Sequence, residues 1–104
     1  MKTNIPLGTV IASRELEFVR EPSQRERVVV SFGMPVPGND AECWYCPYLI
    51  KAASFEKQFW AAGIDAVQAL DLAMGVISAE LAFLSKRHGG EFCFLGESGH
   101  EFRP

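Results

Sequence analysis

The chain is poor in the residues that most often carry chemistry, with only two histidines and three cysteines in 104 residues. An odd cysteine count excludes a fully paired disulfide framework and fits reduced thiols in a cytoplasm. Neither common type of phosphate-cradling glycine loop is present. Basic residues are outnumbered, 10 Lys+Arg against 13 Asp+Glu, and no basic stripe is interleaved with aromatics. Nucleic acid is therefore not an expected partner. The stretch Met1–Gly8 lacks the long apolar core of a signal peptide. One apolar run is long, but Asp65, Gln68, Asp71, Gly75 and Glu80 interrupt it, which argues against a membrane span. What remains is a single domain over 1–104, large enough to build one core without metal or disulfides, expected in the cytoplasm with no cofactor.

The best-written element is a helix from about Asp65 to His88. Asp65 can cap its N-terminus, and Gln68, three residues on, can reach back in a capping-box arrangement. Lys86, Arg87 and His88 suit the negative pole of the helix dipole, and Gly89 supplies a left-handed terminator. Val67, Leu70, Met74, Ile77, Leu81 and Leu84 recur at three- and four-residue spacings and form the expected buried face. Gln68, Asp71, Gly75, Ser78 and Ala82 lie broadly opposite. Gly75 is either a tolerated glycine or a point of close approach by another backbone.

Before the helix the pattern has period two. Val10–Val19 reads as a strand with Leu16 and Phe18 on one face, then a turn at Glu21-Pro22-Ser23-Gln24. Arg27–Met34 follows, with Val28, Val30, Phe32 and Met34 facing together. Pro35–Asp40 reads as a loop, because proline donates nothing to a ladder. Glu42–Lys51 and Phe55–Trp60 complete the run, and Glu91–Leu95 adds a short fifth strand. Residues 96–104 read as a flexible or loosely docked tail. The expected fold is α+β: an antiparallel meander of four to five strands with one long helix across one face.

Chemistry-bearing motifs are weak. Cys43-Trp44-Tyr45-Cys46 has C-x-x-C spacing, but its setting is a strand, where the two Cα atoms would lie roughly 10 Å apart. That exceeds the reach of a disulfide. Joining Cys43, Cys46, Cys93 and His100 into a zinc site would need a second close ligand pair that the sequence lacks. Gly96-Glu97-Ser98-Gly99 falls short of a nucleophile elbow and precedes no helix. No catalytic, metal or cofactor residue is expected.

The third strand instead distributes aromatics over both faces. Trp44, Cys46, Tyr48 and Ile50 share one phase; Cys43, Tyr45 and Leu49 share the other, with Trp60 nearby. One helix covers one face only, so the other is expected to serve a homodimer or a protein partner. The small-residue helix face around Gly75 is a second candidate. Finally, Cys46-Pro47-Tyr48 followed by Gly63-Ile64-Asp65-Ala66-Val67-Gln68-Ala69-Leu70 resembles a family of small bacterial proteins that form a domain of unknown function. The resemblance implies a single-domain bacterial protein and brings no activity, cofactor or site residue with it. A non-catalytic interaction or accessory domain is the leading expectation; a ligand binder or enzyme with a pocket between sheet and helix is the alternative.

Overall fold

The computed structural model describes residues 5–39 and 43–103. Seven strands and one helix follow in the order β1 (Val10–Glu21), β2 (Gln24–Gly33), β3 (Val36–Pro37), β4 (Trp44–Ala52), β5 (Glu56–Gly63), α1 (Ala66–His88), β6 (Glu91–Phe94) and β7 (Glu97–Ser98). All pairings are antiparallel. β4 sits between β2 and β5, and β1, β6 and β7 continue the sheet beyond β2. Because Val36 and Ala62 flank Tyr45 from opposite edges, the two-residue β3 prolongs β2 rather than adding a layer. The chain is thus an α+β meander, β1-β2-β4-β5, after which α1 recrosses the sheet and delivers β6 to the free side of β1.

Alternation within each strand fixes which face is buried. Leu16, Phe18, Val28, Val30, Phe32, Cys46, Tyr48 and Ile50 turn toward the helix and are all at most 4% exposed. Met34, expected on that face, is instead 51% exposed, because β2 has already ended at Gly33. Val36 and Pro37, expected in a loop, make a short ladder with Tyr45 and Trp44. Asp40 of that loop, the expected strand start at Glu42, Met1–Asn4 and Pro104 lie outside the described residues.

The helix is capped at both ends. Asp65 Oδ1 accepts the Gln68 amide at 2.8 Å, while Gln68 Oε1 accepts the Ile64 amide, one residue before the cap. Gly89, at φ 68°, closes the other end by donating to Ser85 O. The buried face differs from the simple hydrophobic stripe: it consists of Ala69, Ala73, Ile77, Leu81 and Leu84. Val67 is 76% exposed and Met74 stands at the surface. The cause is close approach. A Cβ at Gly63 would lie 2.6 Å from the Ala69 amide nitrogen, so the first turns press onto β5 and leave room only for alanine beneath them. By length and mean hydropathy α1 could cross a membrane, yet this face is the core of the domain.

The tail, expected to be flexible or loosely docked, makes specific docking contacts over its described residues. β7 pairs with β6, the Gly99 amide donates to Phe92 O, and Arg103 reaches Asp71 at 2.7 Å. The Arg14 guanidinium lies 4.8 Å from the Phe94 ring centroid and 4.5 Å from that of Phe102, and it donates to His100 O. Such cation–π contacts hold the chain end to β1.

Candidate functional site

Among the residues expected to form a surface, Trp44 and Tyr48 turn inward. Tyr48 is 2% exposed and its hydroxyl donates to Glu80 Oε2 at 2.5 Å, so it offers nothing to a partner. Burial, followed by the Glu80 carboxylate, raises its pKa. Trp44 is half-buried and packs on the core cluster.

Tyr45, Leu49 and Trp60 do lie on the outer face, all half-buried. Tyr45 and Trp60 meet edge to face at 4.9 Å, and the Trp60 ring nitrogen is buried with no partner among the described residues. The segment before β1 crosses this face. Ile5 is 3% exposed, its carbonyl accepts from Gln58, and a Cβ at Gly33 would collide with the Leu7 carbonyl. Pro47 is fully buried beside it. Much of the outer sheet face is therefore covered from within the chain, by a segment whose role had no sequence signal beyond Ile5 and Leu7 being apolar.

The helix shows the reverse. Leu72, Val76 and Phe83 are 42%, 38% and 57% exposed, and Ala79 is exposed between them. Gly75 and Ala82 keep the adjoining strip shallow, and a Cβ at Gly75 would meet nothing within 4 Å. Among the described residues no backbone approaches Gly75. Phe59 of β5, 46% exposed, adjoins this flank: Lys57 lies 5.8 Å over its ring and reaches Glu80, one turn from Val76, at 3.9 Å. On the far side β5 has no partner strand among the described residues. An amphipathic helix normally turns charge outward; this one is apolar on both sides.

Polar chemistry is dispersed. Among the described residues no three His, Cys, Asp or Glu side chains gather as a metal-binding group. Cys46 is buried against Gly33 O, and burial pushes its thiol up to about 11. Burial and the Glu91 carboxylate raise Cys93 as well. Cys43 is a free thiol at the start of β4. A cleft of about 640 Å³ lies on the outer side of β1 and β2. Of its charges, Arg25 pairs with Glu17 and Arg27 with Glu15, while Arg14 is held by the Phe94 and Phe102 rings and the His100 carbonyl. A smaller cleft of about 200 Å³ brings Ser85, Ser98 and His100 near one another, but His100 Nδ1 accepts the Phe102 amide and burial lowers its pKa. The strongest polar cluster is structural. Glu26 accepts from Arg20 at 2.8 Å and from Ser54 N and Oγ, while Arg20 also donates to the His88 carbonyl. Those bonds, led by Arg20, hold the Glu26 carboxyl down to about 2.

The sequence profile of the domain of unknown function DUF6968 matches residues 12–103. No curated protein and no solved structure matches the chain. The chain belongs to the DUF6968 family.

Proposed function

We propose that this chain is a small, non-catalytic interaction domain of the bacterial cytoplasm, acting through the bare flank of its helix. One observation carries the reading: Leu72, Val76 and Phe83 stand exposed along one flank of the helix, with exposed Phe59 across the Lys57–Glu80 ion pair from them. Contiguous apolar patches of this kind mark association sites, whereas single exposed apolar residues do not. The inner helix face already supplies the core contacts, so the outer residues are not needed for packing. Three free thiols suit a reducing compartment. The bacterial setting rests on the motif resemblance alone.

Cross-linking in living cells of the native host tests the surface. The wild-type chain is expected to form a stoichiometric complex, with itself or with another chain, that Phe83→Glu abolishes and Glu15→Gln, on the outer sheet face, leaves intact. A complex that survives Phe83→Glu contradicts the reading.

A further inference from the structure

Building on that surface, we propose that its occupant is a second copy of this chain, packed helix against helix, antiparallel, about a two-fold axis. The residues of the flank carry the argument. Leu72, Val76, Ala79 and Phe83 follow one another at spacings of four, three and four, the alternation that lets two helices mesh along a seam. Read from either end, that spacing is the same. An antiparallel copy therefore sets Leu72 against the partner copy's Phe83 and Val76 against its Ala79, each pair occurring twice. Bulky side chains fall at the ends of the seam and the small Ala79 near its centre, with Gly75 beside it, so the two backbones can approach closely.

Charge agrees with this direction. The antiparallel arrangement sets opposite dipole ends side by side and brings Lys86 and Arg87 of each helix toward the N-cap Asp65 of the other, the one acidic group at that end. A parallel arrangement would put the two basic ends together.

Area agrees as well. Phe59, Leu72, Val76, Ala79 and Phe83 expose on the order of 400 Å², within the range of a monomer's largest apolar patch and about half of the roughly 800 Å² per partner of a standard interface, the polar rim supplying the rest. The helix lies mainly over β5 and β4, near the sheet edge. Two such edges can adjoin while the helices sit about 8–10 Å apart, the normal packing distance. Phe59 of each copy then falls beneath the paired helices.

Sedimentation equilibrium of the full chain, from low micromolar to submillimolar concentration, provides the test. Wild type is expected to dimerise. Leu72→Glu and Phe83→Lys, each folded by circular dichroism, are expected to weaken self-association by about tenfold or more. An equimolar mixture of the two should regain a dimer containing one of each, because position 72 of one copy meets position 83 of the other. Leu72→Gln and Phe83→Gln serve in the same way should either charged variant unfold. A monomeric wild type overturns the second copy as occupant, while the in-cell complex and its loss in Phe83→Glu still decide the surface itself. A dimer unaffected by both single variants, or a mixture no stronger than its components, overturns the antiparallel seam.

Discussion

The inner and outer sides of α1 are built from nearly the same amino acids and do different things. Ala69, Ala73, Ile77, Leu81 and Leu84 are buried on the sheet; Leu72, Val76, Ala79 and Phe83 are no less apolar yet stand at the surface. Hydrophobicity alone does not separate them. What separates them is the roll of the helix, set by the tight contact at Gly63 and by anchors at both ends. Asp65 fixes the first turn, and Arg20, steadied by Glu26, holds the last carbonyl at His88.

Disturbing the inner side should have the largest effect. Ile77→Ala or Leu81→Ala removes a fully buried side chain and is expected to lower unfolding free energy by about 2–5 kcal/mol in urea titrations. A loss below about 1 kcal/mol would mean the inner side is not the core.

Next come the anchors. The folded Glu26 carboxyl has a pKa of about 2 against an ordinary 4.5, so the folded state binds fewer protons than the unfolded state between those values. Its contribution is complete above about pH 4.5 and disappears as pH falls through about 2, amounting to at most about 3 kcal/mol. Glu26→Gln should flatten stability against pH across that window; an unchanged acid limb would remove Glu26 from the account. Asp65→Ala should cost about 0.5–2 kcal/mol through loss of the cap. Equal amide-exchange protection of the first helical turn in both proteins would count against that assignment.

The inner face was only half legible in sequence, and the reason is physical. Ile77, Leu81 and Leu84 follow from periodicity, as do both helix ends, whose signals are local. Ala69 and Ala73 do not, because a hydrophobic stripe ranks Val67 and Met74 above alanine and carries no information about backbone distance. The clue available was Gly63, a small residue where β5 meets the helix. The docked tail was equally hidden: Arg14 meets Phe102 and the His100 carbonyl across almost the whole chain, and no local pattern encodes such a contact. For the candidate site, the third-strand aromatics were legible, but the cover supplied by Ile5 and Leu7 was not. Gly75 drew notice to the small-residue strip it shares with Ser78 and Ala82, whereas the exposed flank of Leu72, Val76 and Phe83 had no sequence signal of its own.

The smallest expected change in stability belongs to the outer side, and it tests the central claim most directly. The double variant Val76→Glu with Phe83→Glu should be measured by urea denaturation under dilute conditions and by sedimentation on the same preparation. The account predicts unfolding free energy within about 0.5 kcal/mol of wild type in the dilute chain, together with loss of association. A loss of more than about 2 kcal/mol with unchanged sedimentation would contradict it, making the outer side part of the fold rather than a surface for a partner.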